Sequence, residues 1–144
     1  MILVDANVLL YAANRAAPEH HAGRTWLDAQ LSGPERVGLP WPSLLAFVRL
    51  ATNPLVVRSP STPRDAWKQV EQWLAAETAW IPQPTDRHAE VFGRFCAAGW
   101  MTSRLVTDAH LAALAIEHGL TLCSTDGDFA KFPGLSWQNP LAAQ

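Results

Sequence analysis

The chain has 144 residues, of which 49% are hydrophobic and 17% charged, with 11 basic against 13 acidic side chains. That is the size of one domain and enough apolar surface to offset chain entropy, which excludes a disordered or fibrous chain. The apolar run before Asp5 is only three residues long and has no basic region ahead of it, and no stretch is long enough to span a bilayer, so neither a secretory signal nor a membrane anchor is expected.

Residues 2–4, Ile-Leu-Val, read as a short strand ending at Asp5, and Val8, Leu9, Tyr11 and Ala12 continue at helical spacing. Pro18 and Glu19 open a second helix carrying Trp26, Leu27 and Leu31, closed by Gly33-Pro34, and residues 36–39 form another short strand. Pro42 and Ser43 sit in the first turn of a third helix, which carries Leu44, Leu45, Phe47, Val48 and Leu50 to Asn53-Pro54. NPLVVRSPSTP is a surface loop, and Thr62-Pro63 caps a helix displaying Trp67, Val70 and Leu74. Trp80-Ile81 is strand-sized. Thr85 is predicted to begin a helix with His88, Val91, Phe92, Phe95 and Cys96 inward. Thr107 begins one with Leu111, Leu114, Ala115 and His118 inward, ended by Gly119. Residues 120–123 form a strand that exits through STDGDF, and Leu135 to Trp137 form the last one.

Strands alternating with amphipathic helices indicate an α/β fold with a mainly parallel sheet, because parallel neighbours need helical crossovers. The expected organisation is one domain over 1–140 and a short tail over 141–144. In such sheets the cleft lies outside the carboxyl ends of the strands. Asp5 ends the first strand, Asp126 and Asp128 follow the fourth, and Asp108 lies in the first turn of the helix before it, so all four can meet at one rim.

Each aspartate also has a bland reading. Asp108 suits the positive end of a helix, Asp126-Gly127 is turn sequence, and Asp128 can cap the short helix starting at Phe129. Asp5 fits such a reading worst, since aspartate is depleted from strands. Gathered together, carboxylates repel one another and raise each other's pKa unless a cation neutralises them, and hard oxygen donors select Mg²⁺ or Mn²⁺. With those four set aside, 11 basic residues face 9 acidic ones, and nine of the cations are Arg, which suits phosphate and permits a nucleic-acid partner.

Other chemistries find little support. The histidines lack zinc spacing, and Cys96 and Cys123 read as buried small apolar residues rather than a disulfide or metal pair. No GxGxxG, Walker or GxSxG pattern occurs, and Lys68 and Lys131 fall in helical segments rather than at the strand end a phospho-acceptor domain needs. Trp26, Trp67 and Trp73 are expected in the core; Trp41 and Trp100 fall outside the apolar stripes and are candidates for an interface.

The strings ILVDANVLLY, SLLAFVRLATNP and above all VTDAHLAALAIEHGLTLCSTDGDFAKFPGLSWQNP resemble a PIN domain, and more specifically the VapC ribonuclease toxins of bacterial toxin–antitoxin pairs, from Met1 to Pro140. The resemblance implies a three-layer α/β/α sandwich and an endoribonuclease dependent on Mg²⁺ or Mn²⁺. Asp5, Asp108, Asp126 and Asp128 match the family's acidic positions. Asp5 and Asp108 would hold the principal ion, Asp126 would help hold it or a second one, and Asp128 would orient the attacking water. Asn7 and Thr125 match polar positions that orient those carboxylates, although Asn7 is equally a helix cap. Arg49 and Arg104 are the candidates to grip an RNA backbone. One departure stands out: where members carry a glutamate on the third helix this chain has Ala46, and Ser43, one turn back, offers only a hydroxyl. The resemblance further implies a cytoplasmic protein with a VapB-type antitoxin, an RNA substrate and a homodimeric state. The competing expectation is a PIN-like module that the missing glutamate has left to bind RNA or a partner protein without efficient cleavage.

Overall fold

The computed structural model describes residues 1–142, so the last two residues of the expected tail lie outside it. Five strands form one sheet: β1 (Ile2–Val4), β2 (Val37–Gly38), β3 (Ala79–Trp80), β4 (Thr121–Cys123) and β5 (Trp137–Gln138), in the order β3-β2-β1-β4-β5. Every neighbouring pair is parallel, with Ile2 opposite both Val37 and Thr121. The helices are α1 (Ala6–Ala13), α2 (His20–Ser32), α3 (Trp41–Ala51), α4 (Pro63–Leu74), α5 (His88–Cys96) and α6 (Val106–His118).

The period of two along β1 sends Leu3 and Val4 to opposite faces of the sheet, and each founds a core. Val4 packs with Val8 and Leu9 of α1, Leu27 of α2, Leu44 and Phe47 of α3, and Val70 and Trp73 of α4. Leu3 packs with Leu122, with Val91 and Phe95 of α5, and with Leu111 and Leu114 of α6. The sheet is therefore the middle of three layers, and the expected α/β/α architecture is the observed one. β2 runs between β1 and β3 so tightly that a Cβ on Gly38 would stand 2.8 Å from Pro82 Cγ and 3.1 Å from Ile2 O.

Local signals explain most boundaries. Thr62 caps α4 by accepting from Asp65 N at 3.1 Å, and Gly119, at φ 68°, ends α6 in the left-handed conformation that glycine adopts without strain. Thr85 does more than begin a helix. Its Oγ accepts from Arg87 N at 3.1 Å and its carbonyl from His88 N at 3.0 Å, forming the turn that leads into α5 at His88, while its amide and hydroxyl donate to Glu117 Oε1 at 2.9 and 2.7 Å. The Glu117 side chain is fully buried, and its Oε2 accepts from His88 Nδ1 at 2.5 Å. A carboxylate only accepts, so the His88 proton sits on Nδ1, and His88 Nε2 meets His110 Nδ1 at 3.0 Å. This chain of three side chains fastens α5 to α6.

Two expected core positions are not in the core. Cys96, at the last turn of α5, is exposed, whereas Cys123 is buried with its thiol pushed up to about 12 by burial. Trp67 is 42% exposed and stacks on Trp41, 37% exposed, with ring centroids 6.4 Å apart; the apolar stripe of α4 is wider than the surface covering it. Trp100, by contrast, is half-buried edge-on to Phe132. No described helix is long and apolar enough to cross a membrane.

Candidate metal centre

From β1 the chain crosses to β2 and then β3 on one side, and later returns to lay β4 and β5 on the other. The crevice between the carboxyl ends of β1 and β4 is thus the point where strand order reverses, the place where open parallel sheets bind ligands. Asp5 follows β1 directly. Ser124, Thr125 and Asp126 follow β4, and α6, which leads back to the start of β4, begins at the same rim and carries Asp108 in its first turn.

Three of the four carboxylates, those of Asp5, Asp126 and Asp128, are held by hydrogen bonds or ion pairs. Asp5 caps α1, with Oδ1 accepting from Ala6 N at 2.8 Å, while its Oδ2 accepts from Ser124 Oγ at 2.8 Å. Asp126 caps the 3-10 turn Gly127–Lys131 by accepting from Asp128 N at 2.9 Å, so this cap is Asp126 rather than Asp128. Asp128 accepts from Arg104 Nη1 at 2.5 Å and from Lys131 Nζ at 3.1 Å. Capping and charge gathering coexist at Asp5 and Asp126, so local capping is part of how the cluster is built.

Ser124 is the organiser that sequence reading missed. It is fully buried, donates to Asp5, and its Oγ accepts from Asn7 Nδ2 and Asp126 N, both at 3.0 Å. Asn7 also reaches Asp5 Oδ2 at 3.4 Å and accepts from Thr125 N at 3.3 Å. Thr125 therefore enters this network through its backbone, and the side chain tying β1 to β4 is one residue earlier. The available signal was a serine directly after the last strand residue, where a hydroxyl faces the neighbouring strand end.

The electrostatics are those of gathered negative charge whose paired cations, Arg104 and Lys131, contact Asp128 alone. Burial first, and then the charges of Asp5, Asp126 and Asp128, push the Asp108 carboxyl up to about 6, against a smaller pull from Arg104. Asp5 is raised as well, mainly by burial, with Ser124 and Ala6 opposing. Asp128 lies below its ordinary value because Arg104 and Lys131 hold its ionised form. Carboxylate oxygens of Asp108, Asp126 and Asp128 lie within 4.8 Å of one another. Oxygens around an octahedral Mg²⁺ stand about 3 to 4 Å apart, so this donor set fits a hard divalent cation after small side-chain movements. Asp5 stands outside that group of three but close enough for its charge to act on Asp108.

The remaining candidates are less integrated. Among the described residues no ion pair joins Arg49, exposed near the end of α3, to the cluster, whereas Arg104 is in it. Ala46 is half-buried on α3 and brings no carboxylate; Ser43 on the same helix is 1% exposed, and its Oγ has no partner. A cleft of about 600 Å³ lined by Leu10, Arg15, Phe47 and Ala66 lies elsewhere and includes none of the four aspartates.

Comparison with known proteins agrees with this architecture. The PIN domain family model matches residues 2–135. Ribonuclease VapC37 of Mycobacterium tuberculosis is 47% identical over 142 residues, covering 99% of both chains. The structure of VapBC2 from Rickettsia felis bound to a DNA fragment from their promoter aligns with a TM-score of 0.71 at 16% identity, over 96% of this chain and 98% of that one. VapC20 of M. tuberculosis, described as a sarcin-ricin loop cleaving toxin, aligns with a TM-score of 0.68 at 18% identity, over 94% and 99% of the two chains. With a full-length match to a VapC ribonuclease and an acidic cluster at the strand-order reversal, this chain belongs to the PIN-domain family, among the VapC ribonuclease toxins.

Proposed function

We propose that the chain is a Mg²⁺- or Mn²⁺-dependent endoribonuclease that hydrolyses RNA phosphodiester bonds, with Asp5, Asp108, Asp126 and Asp128 as its working carboxylates. The observation that carries this reading is the convergence of Asp108, Asp126 and Asp128 oxygens to within 4.8 Å of one another where strand order reverses, with burial and the neighbouring aspartates raising the Asp108 carboxyl. Such a site is costly without a cation and suited to one.

Asp108 and Asp126 would ligate the ion, with Asp5 drawn in as the charges are neutralised. Bound Mg²⁺ or Mn²⁺ supplies Lewis-acid stabilisation of a phosphate and lowers the pKa of water. Asp128 would orient the attacking water, whose oxygen would form the new P–O bond as the bond to the departing oxygen breaks; the proton the water loses would pass to solvent and the departing oxygen would take one up from solvent, with Asp5 held by Ser124 and Asn7. Thr125 supports Asn7 through its amide. Arg104 and Arg49 would contact the RNA backbone. The partners that follow are an RNA substrate, a VapB-type antitoxin that covers the acidic groove, and a second copy of the chain; the solved relatives include toxin–antitoxin complexes.

Ala46 favours one rival, a module that captures RNA or protein without efficient cleavage. The two readings separate on purified, antitoxin-free protein. Cleavage of mixed tRNA and rRNA that requires added Mn²⁺ and is lost in Asp5→Asn supports the nuclease, and RNA retention without cutting supports the binder.

A further inference from the structure

Both oxygens of Asp128 are occupied by cations from two different segments. Arg104 comes from the 3-10 turn Ser103–Leu105 just ahead of α6, and Lys131 from the end of the turn that Asp126 caps. The side chains of Arg104 and Lys131 are 66% and 45% exposed, against 24% for Asp128, so the two cations form a rim above a more sheltered carboxylate. The same Asp128 is one of the three residues whose oxygens converge. Arg104 is thus the built-in counter-ion of the cluster, and it uses one of five guanidinium N–H donors to be so.

We propose that Arg104 is an exchangeable cation: it neutralises Asp128 until a divalent ion enters the cluster, and then turns its fork to a phosphate of the RNA, with Lys131 beside it. This deepens the ribonuclease reading and rests on it. An exposed ion pair is weak enough to be displaced by a doubly charged ion among several carboxylates. Once the cluster is neutralised, the attraction holding Arg104 to it falls, and a planar bidentate donor suits the phosphate oxygens that remain. One residue then has two opposite effects: it competes with the metal and assists the substrate.

The opposite signs make the test sharp. Mn²⁺ binding is measured by isothermal titration at pH 7.5 for wild type, Arg104→Gln, Arg104→Lys and Asp108→Asn. The salt dependence of kcat/KM is measured for wild type and the two Arg104 variants. Arg104→Gln is expected to bind Mn²⁺ about two- to five-fold more tightly, as loss of a surface ion-pair competitor implies. It is expected to show a raised KM and a slope of log(kcat/KM) against log salt shallower by about 0.7, one phosphate contact. Arg104→Lys keeps the charge and should restore the Mn²⁺ affinity while recovering only part of the KM. A merely structural Arg104 would not tighten metal binding. Unchanged or weaker Mn²⁺ affinity in Arg104→Gln, with wild-type binding that still depends on Asp108, overturns the exchange and leaves the nuclease reading standing. An unchanged salt slope overturns the phosphate contact. Failure of the wild type to bind Mn²⁺ overturns the nuclease reading and this inference with it.

Discussion

Replacing Asp108 with asparagine should stabilise the metal-free protein while ending its hold on a divalent ion. The native carboxyl is raised from 3.8 to about 6, first by burial and then by Asp5, Asp126 and Asp128. At 1.36 kcal/mol for each pH unit that rise corresponds to about 3 kcal/mol. Asp108 is only half-buried, so solvent screening reduces the figure to about 1 to 1.5 kcal/mol. The sign follows from proton binding. The native state holds this proton more tightly than the unfolded chain, so wild-type stability falls as pH rises from about 4 to 6 and is level in this respect above that. Asparagine keeps the shape and removes the charge. In EDTA at pH 7.5 the variant should therefore melt about 3–6 °C above wild type, and the difference should close near pH 4. Saturating Mn²⁺ should raise the wild-type midpoint and leave that of Asp108→Asn unmoved. Thermal unfolding followed by circular dichroism reads all of this, and an asparagine variant that melts at or below wild type in EDTA at pH 7.5 would refute the charge-repulsion reasoning.

Three further outcomes are expected. Mn²⁺ affinity measured by titration calorimetry should be level above about pH 7 and fall about ten-fold for each pH unit below 6, as the ion competes with the Asp108 proton; a flat profile down to pH 5 would place the metal elsewhere. Ser124→Ala strips Asp5 of a donor and leaves the Asn7 and Asp126 N–H groups without their acceptor, which should cost about 1–3 kcal/mol in urea unfolding and weaken Mn²⁺ binding. Glu117→Gln breaks the fastening between α5 and α6 and should cost about 1–3 kcal/mol with no change in Mn²⁺ affinity. Burial pushes the Glu117 carboxyl up, but bonds from Thr85 and His88 leave it below its ordinary 4.5; its contribution is present above that pH and lost as pH falls through the native value, so the variant's deficit should shrink in acid.

Much of this was legible in the chain because its signals are local. Ile-Leu-Val followed by Asp5, the Thr62-Pro63 start and the Gly119 stop each fix a boundary within a few residues, and alternation of strand and helix dictates a parallel sheet. Placing acids after β1 and β4 then follows from topology, since both strands point the same way. What escaped reading depends on contacts distant in sequence. Thr85 leads into α5 as its residue type suggests, but nothing local shows that its hydroxyl also donates to Glu117, 32 residues on. Ser124 and Thr125 are equivalent on paper, and only the approach of β1 decides which hydroxyl faces Asp5. Helical periodicity gives the phase of a stripe but not where its cover ends, which is why Trp67 and Cys96 fall outside the core. Asp128 carried no hint that Arg104, 24 residues earlier, would occupy it.

The most direct measurement is a Mn²⁺ titration of RNA cleavage, with purified antitoxin-free protein and a mixed tRNA and rRNA substrate resolved on gels, for wild type, Asp5→Asn and Asp108→Asn. Cutting is expected from wild type alone, absent in EDTA and rising with Mn²⁺ until the site saturates, while both variants remain folded and silent. Cleavage by folded Asp5→Asn or Asp108→Asn equal to wild type, or wild-type cutting indifferent to EDTA, would contradict a metal centre built on the rim between β1 and β4.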